Sequence, residues 1–295
     1  QLSTTVDLSI VDDSLFENDE TVVLTLGAPT NATLGATTVH TATITDNDTA
    51  PTVAFDAAAQ SIGEAAGSTT ASVTLSAASG LETIIPFTAS GTAIDPDDYS
   101  DLDLGSLTIP AGQLSTTVDL SIVDDSLFEN DETVVLTLGA PTNATLGATT
   151  VHTATITDND TAPTVAFDAA AQSIGEAAGS TTASVTLSAA SGLETIIPFT
   201  ASGTAIDPDD YSDLDLGSLT IPAGQLSTTV DLSIVDDSLF ENDETVVLTL
   251  GAPTNATLGA TTVHTATITD NDTAPTVAFD AAAQSIGEAA GSTTA

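Results

Sequence analysis

The sequence predicts an all-β protein, a tandem array of immunoglobulin-like β-sandwich modules with Greek-key strand order and seven strands each. Three observations carry that prediction. Residues 1–112 recur letter for letter as 113–224, and residues 225–295 repeat the first 71 again. A period of this length is a whole domain, not one turn of a solenoid. Within each copy, short apolar-alternating runs follow one another between Gly-, Pro- and Ser-rich turns, and no segment keeps a helical period. Val, Ile and Thr are abundant, as β-sheet requires.

The best unit runs from the linker Thr49-Ala50-Pro51-Thr52 to Asp158-Asn159-Asp160. Strands are expected at 52–55, 71–77, 83–89, 106–109, 116–123, 133–138 and 151–157. Val73 and Leu75 share one face. Val118, Leu120 and Ile122 form a second inward set, and Val134, Leu136 and Leu138 a third. Side chains alternate across a strand, so each set is apolar inside and polar outside, the pattern of antiparallel sheets covered on one face. Ser79-Gly80, Pro110-Ala111-Gly112 and Gly139-Ala140-Pro141 supply turns. Pro86, inside a strand run, suggests an edge strand, because proline cannot donate to a ladder. The chain then divides into residues 1–48, the C-terminal part of one module; 49–160 and 161–272, two complete modules; and 273–295, the start of another. The chain is thus expected to be a window on a longer polypeptide. Its end pieces would be completed by further chain or by strands of a neighbouring molecule.

Charge narrows the function. The 295 residues contain 42 Asp plus Glu and no Lys or Arg, a formal net charge of −42. Nothing can neutralise phosphate, so nucleic acid is not an expected partner, nor is an anionic membrane surface. Disorder, the usual reading of a very acidic chain, conflicts with a 41% hydrophobic content. Cysteine is absent, which removes disulfides and thiol chemistry. No secretory leader or transmembrane run is evident.

The acidic residues gather at strand ends and loops. In the first complete module these are Glu64; Asp95, Asp97, Asp98, Asp101 and Asp103; Asp124 and Asp125; Glu129, Asp131 and Glu132; and Asp158 and Asp160. Loops distant in sequence can meet at one pole of a sandwich. Oxygen ligands at this density suit Ca²⁺, which takes six to eight of them in irregular geometry, better than Mg²⁺ or Zn²⁺. The alternative is a solvated acidic surface adapted to salt, which would scatter carboxylates over outer strand faces.

The order of motifs resembles the Calx-β domain, found in sodium–calcium exchangers, in an integrin tail and in large bacterial surface proteins. The matching stretches are Ser61-Ile62-Gly63-Glu64, Gly91-Thr92-Ala93 with Asp98-Tyr99, and Leu107-Thr108-Ile109-Pro110-Ala111-Gly112-Gln113. They continue with Ile122-Val123-Asp124-Asp125-Ser126-Leu127-Phe128-Glu129-Asn130-Asp131-Glu132 and Thr155-Ile156-Thr157-Asp158-Asn159-Asp160. The resemblance implies a seven-stranded sandwich with Ca²⁺ at one end. Its implied ligands are Glu64, Asp98, Asp125, Glu129, Glu132, Asp158 and Asp160, then Glu176, Asp210, Asp237, Glu241, Glu244, Asp270 and Asp272. The first fragment keeps Asp13, Glu17, Glu20, Asp46 and Asp48, and the last only Glu288. Asn47, Asn159 and Asn271 stand where the family often has another Asp, which implies fewer ions or weaker binding, with the Asn carbonyl as an alternative ligand.

Other features have plainer readings. His40, His152 and His264 are one residue seen three times, with the strand parity of a packed strand-end side chain. Asn143-Ala144-Thr145 and Asn159-Asp160-Thr161 match the glycosylation sequon. Paired carboxylates could suggest a glycosidase, but four aromatics per module leave too few for a sugar platform, and no nucleophile elbow is present. The expected role is therefore non-enzymatic: a repeat segment of a long extracellular fibre or adhesin stalk whose module junctions Ca²⁺ stiffens. Its partners would be neighbouring modules and identical chains in a fibre. The alternative is a calcium-sensing regulatory module.

Overall fold

A computed structural model describes residues 3–100, 102, 105–212, 214, 217–288, 291 and 294. The chain forms two compact units. The first comprises Gln1–Ser126 and Asn130–Asn159, and the second Leu127–Glu129 and Asp160–Ala295.

In the first unit, β1 (Glu20–Thr25) and β2 (Val39–Ile44) make a two-stranded antiparallel sheet. The complete repeat follows with β3 (Thr52–Phe55), β4 (Ala59–Gly63), β5 (Ser68–Leu75), β6 (Thr83–Gly91), β7 (Tyr99–Ser100), β8 (Ser106–Ile109), β9 (Ser115–Ile122), β10 (Glu132–Leu138), β11 (Thr145–Leu146) and β12 (Val151–Thr157). Two five-stranded sheets result, ordered β4-β12-β10-β6-β8 and β11-β3-β5-β9-β7. Their inner faces meet in one core. Val53, Val73, Ile85 and Ile109 are fully buried there, with Val134 and Leu136 at 1% exposure. The three inward sets read from alternation all lie in this core. Each such side chain contributes about 1.5–3 kcal/mol on burial.

The second unit repeats the arrangement. It contains β13 (Thr164–Phe167), β14 (Ala171–Gly175), β15 (Ser180–Leu187), β16 (Thr195–Gly203), β17 (Tyr211–Ser212), β18 (Ser218–Ile221), β19 (Ser227–Ile234), β20 (Glu244–Leu250), β21 (Thr257–Leu258) and β22 (Val263–Thr269). The sheets are ordered β14-β22-β20-β16-β18 and β17-β19-β15-β13-β21. Among the described residues no helix is long and apolar enough to cross a membrane.

The seven expected strands are present, and three more join them. Strands β4, β7 and β11 are short, and β4 and β11 pair in parallel with β12 and β3. The sheets are thus mixed, not purely antiparallel as expected. After β3 the chain crosses to the other sheet and lies beside the last strand, which runs the same way. Pro86 also departs from expectation, because β6 is not an edge strand. Its residues 83–86 pair with β8 and residues 87–91 with β10. Proline occupies the point where the strand exchanges partners, while its carbonyl accepts from Gly139 N at 2.7 Å.

His152 and His264 are 2% exposed, as strand parity suggested. His152 Nδ1 lies 2.7 Å from the Ala57 carbonyl oxygen, and its ring stands 5.4 Å from Phe55. His40, in the end fragment, is exposed. Asn143 has φ 56°, a left-handed conformation that Asn tolerates, and its amide donates to Glu82 O at 2.8 Å. That contact gives the first residue of the sequon a structural task.

Gly91 and Gly203 have φ of +135° and +133°, and a Cβ at either would lie 2.8 Å from the backbone carbonyl carbon of Thr133 or Thr245. Gly91→Ala with Gly203→Ala is expected to cost about 1–3 kcal/mol per module. Thermal denaturation would register this as a drop in melting temperature of several degrees, with the far-ultraviolet β-signature retained below the transition.

Candidate metal centre

Strand register builds the site in the second unit. Tyr211 pairs with Ile234, Glu244 with Ile268, and Gly175 with Thr269. These pairings put the end of β19, the start of β20 and the ends of β14 and β22 at the same pole. Beyond Ile234 and Ile268, both buried, the alternation stops and the acids begin. Asp236 and Asp237 follow β19, Asp270 and Asp272 follow β22, Glu244 opens β20, Glu176 opens a 3-10 turn (Glu176–Ala178), and Asp210 precedes β17. In strands β13 to β22 only Asp231 and Glu244 are acidic. Carboxylates are therefore kept to loops and strand ends, most of them at one pole, not scattered over outer strand faces as a salt-adapted surface would have them.

The seven expected residues of this module separate into two triads and a link. Glu176, Asp237 and Asp272 each offer a ligand oxygen within 4.8 Å of the others, and so do Asp210, Glu241 and Glu244. Asp270 joins neither triad. It accepts from Glu241 N at 3.3 Å and from Asp272 N at 3.0 Å, fixing one residue of each. Asp237 N donates to Glu176 Oε1 (3.2 Å) and Leu239 N to Asp237 Oδ1 (2.7 Å). Ile206 N donates to Asp210 Oδ2 (2.6 Å), and the Asp210 carbonyl accepts from Val235 N (3.0 Å). Backbone amides thus fix the orientation of these acids.

Sequence reasoning had assigned no separate role to Asp236 and Asp243. Asn271 Nδ2 donates to Asp236 Oδ1 at 2.8 Å, and Asp270 N to Asp243 Oδ1 at 3.4 Å. Asn271 thus holds a loop. The doublet Asp236-Asp237 was the available signal: adjacent residues of one loop point differently, one into the triad and one to the Asn.

In the first unit the same contacts recur. Asp125 N donates to Glu64 Oε1 (3.1 Å), Asn159 Nδ2 to Asp124 Oδ1 (2.7 Å), Asp158 N to Asp131 Oδ1 (3.2 Å), and Ile94 N to Asp98 Oδ2 (2.5 Å). Asn159, in the second sequon, therefore also has an engaged amide. Glu132 opens β10, while Glu129 and Asp160 belong to the second compact unit. In residues 1–48, Glu17 N and Asp48 N both donate to Asp46 (3.0 and 3.1 Å), and Leu15 N donates to Asp13 (2.9 Å). Glu20 opens β1. This fragment contains no counterparts of Glu64 and Asp98, and among the described residues no triad forms there. Glu288 is exposed and in no acidic group among the described residues. Asp101 and Asp103 lie outside the described residues.

The electrostatics follow from crowding. A hydrogen bond shared with Asp210, then desolvation, then repulsion from Asp210, Glu241 and Glu176, push the Glu244 carboxyl up to about 7. Desolvation, followed by repulsion from Asp237, Asp210, Glu176 and Asp270, raises Glu241. Desolvation and then Asp270 and Asp237 raise Asp272. Glu64, Glu17 and Asp48 rise for the same leading reason.

The donor set fits a hard divalent cation. Its ligand atoms are carboxylate oxygens, and Glu244 Oε2 and Asp272 Oδ2 are buried without a hydrogen-bond partner. His264 lies near the opposite end of β22 from Asp270, about 20 Å away at strand rise, so no imidazole reaches the site.

Comparison with known proteins gives a consistent family match. Residues 2–48, 46–160 and 158–274 each match the Calx-beta domain model. The chain is 28% identical over 299 residues to extracellular matrix protein 3 of Lytechinus variegatus, covering 95% of this chain and 10% of that protein. It is 28% identical over 311 residues to extracellular matrix organizing protein FRAS1 of Mus musculus, covering 97% and 8%. Sodium/calcium exchanger 1 of Bos taurus is 25% identical over 185 residues, covering 56% of this chain and 19% of the exchanger. The chain thus spans a small part of the length of these relatives. The crystal structure of CBD12 from CALX1.2 matches with a TM-score of 0.35 at 20% identity, covering 74% of this chain and 99% of that one.

The raised carboxyls make metal-free stability depend on pH. A carboxyl whose folded pKa exceeds its unfolded value binds its proton more tightly when folded, so its stabilising contribution is full below the unfolded pKa and is lost as pH rises through the folded one. For Glu244 that window runs from 4.5 to about 7. In chelator, the melting temperature is expected to be lower at about pH 8 than at about pH 5. Glu244→Gln should flatten the fall in circular-dichroism melts across that window.

Proposed function

The chain belongs to the Calx-beta domain family, and from that premise we propose that it is a repeat segment of a long extracellular structural protein whose module poles bind Ca²⁺ to stiffen their junctions. One observation carries the reading. Two carboxylate triads lie side by side at one pole, with buried oxygens that no hydrogen bond satisfies, directly before the residues that lead out of the module.

The residues divide the work. Glu176, Asp237 and Asp272 would hold one ion, and Asp210, Glu241 and Glu244 another. Bound Ca²⁺ supplies the positive charge that the sequence itself lacks. Asp270 positions both sets through backbone amides. Glu244, whose carboxyl is pushed up to about 7, would give up its proton on becoming a ligand. By repeat position the preceding module offers Glu64, Asp98, Asp125, Glu129, Glu132, Asp158 and Asp160. Asp13, Glu17, Glu20, Asp46 and Asp48 are the part of a site contained in residues 1–48. Thr161-Ala162-Pro163 follows Asp160 directly, so ordering the acidic pole orders the root of the linker, and proline restricts φ beyond it. Without an ion, the acids repel and the pole loosens.

Extracellular placement draws support from similarity to two extracellular matrix proteins, and from calcium concentrations outside cells that suit sites of modest affinity. Exact repetition allows length to change by whole modules, which fits a stalk or fibre. Identical chains packed side by side are the proposed lateral partners. Similarity to sodium/calcium exchangers over 56% of the chain favours a second reading, a calcium-sensing regulatory module. The two separate on the parent protein: many consecutive repeats indicate a fibre, one or two a sensor.

Millimolar Ca²⁺ is expected to raise the melting temperature over chelator at constant ionic strength. A hundredfold excess over Kd would supply about 2.7 kcal/mol per site, a shift of about 10 °C or more for domains of this size. Asp237→Asn with Asp125→Asn should remove most of the shift. Small-angle scattering should give a longer particle with Ca²⁺. Equal melting temperatures in both conditions would refute the metal assignment and leave an acidic sandwich array.

A further inference from the structure

Each complete module buries one imidazole that the calcium reading leaves unused. His264 is 2% exposed and lies near the end of β22 away from the acids. Its Nδ1 stands 2.7 Å from the Ala169 carbonyl oxygen, and its Nε2 is buried without a hydrogen-bond partner. A carbonyl only accepts, so Nδ1 carries the hydrogen and Nε2 is bare. The reverse tautomer would bury a donor with no acceptor, which is costly. Phe167, in the facing sheet, has its ring 5.4 Å from the imidazole. His152 repeats these contacts, with Ala57 O at 2.7 Å, Phe55 at 5.4 Å and an Nε2 without a partner.

The carbonyl that His264 holds belongs to a crossover. Residues 168–170 carry the chain from β13 in one sheet to β14 in the other. All three are tied down. Asp168 N donates to Ser184 O at 3.1 Å, His264 holds Ala169, and Thr265 N donates to Ala170 O at 2.9 Å. The strand that follows is weakly specified by its own residues. It is the edge strand Ala-Gln-Ser-Ile-Gly, paired with β22 alone. Ile174 is its one large apolar side chain, packed against the core. Backbone donors and acceptors recur along both strands, so the ladder by itself admits a slip. The imidazole does not, because one side chain reaches one carbonyl. A slip of one residue would move Glu176 by roughly 3.3 Å and turn its side chain to the other face. Glu176 is the acid this strand delivers. It follows Gly175 directly, accepts from Asp237 N at 3.2 Å and joins Asp237 and Asp272 in a triad.

We propose that His264, and His152 by the same contacts, are positioning residues for the acidic pole. The Nδ1–H grips the crossover, the crossover sets the register of the edge strand, and the register brings Glu176, or Glu64 in the first unit, to the pole. The connection runs along one strand of one module, about 20 Å from imidazole to carboxylate. Its far end is fastened as well, since Thr269 Oγ1 donates to Ile174 O at 3.3 Å. The histidine acts as a neutral donor of one tautomer, which sets it apart from a side chain that only fills space. The strand register rests on these hydrogen bonds alone, and the effect on ion binding rests on the calcium reading given above.

The test begins with the intact chain labelled with ¹⁵N-histidine and studied by NMR at about pH 8. His152 and His264 are expected to show the tautomer with Nδ1 protonated and Nε2 bare, and an Nε2-protonated form would overturn the proposal at once. His152→Phe with His264→Phe keeps a ring and removes the donor. In chelator, this pair should speed amide exchange at Thr153 and Thr265 by about tenfold or more while amides of the central strands β10 and β20 keep their rates. In calorimetry it should weaken Ca²⁺ binding by about tenfold, with no further loss when Glu64→Gln and Glu176→Gln are already present. His152→Asn with His264→Asn returns an amide donor near the place of Nδ1 and should restore slow exchange and binding. Unchanged exchange at Thr153 and Thr265, or equal loss of binding with and without the two glutamates, would overturn the positioning role and leave the calcium sites standing. Absence of binding heat in the unsubstituted chain would overturn the calcium reading and the effect on ions, while the exchange result would still decide the register role.

Discussion

Forty-two carboxylates in a chain without a single lysine or arginine create a problem that the fold concentrates instead of diluting. A protein can tolerate such a charge when the acids lie far apart in water. Here the sheet registers bring acids to one pole of the module, close enough that a hydrogen bond with Asp210, desolvation and repulsion push the Glu244 carboxyl up to about 7. Buried carboxylate oxygens without partners are costly unless something pairs with them. The chain has only three histidines as cationic candidates, and His152 and His264 are locked in the core, so among its side chains little positive charge is available to the pole.

The sandwich is the instrument of that concentration. Its core is conventional, with Val, Ile, Leu, Phe and Ala side chains on alternating positions of two sheets. Their registers, not the loops, decide which acids meet. Parallel pairing of β14 with β22 places Glu176 beside the residues that follow β22, and the β17–β19 pairing does the same for Asp210 and Asp237. A change that slips one register would dissolve the triads without touching an acid.

Much of this was legible in the residues. Alternation at Val73/Leu75, Val118/Leu120/Ile122 and Val134/Leu136/Leu138 identified the inner faces because a two-residue period survives even in short strands. Strands β7 and β11 escaped because two residues cannot show a period. Strand β4, Ala-Gln-Ser-Ile-Gly, carries too little β-branched content to stand out. Pro86 misled because a missing donor has two remedies: an edge, or a place where a strand changes neighbours, and only the structure separates them. Motif order located the acids, but their sorting into triads depends on cross-strand register, which no local pattern encodes. Asp270 and Asn271 are the clearest cases. They sit beside a triad member in sequence, yet one positions amides and the other ties down Asp236.

The central claim is that the two triads of the second complete module are cation sites. Crystals of the full chain grown with millimolar Ca²⁺, measured for anomalous scattering, test it most directly. The account predicts peaks among Glu176, Asp237 and Asp272 and among Asp210, Glu241 and Glu244, coordinated by carboxylate oxygens at about 2.3–2.6 Å, and gone from crystals soaked in chelator. Well-ordered triads without anomalous density at that concentration would contradict it.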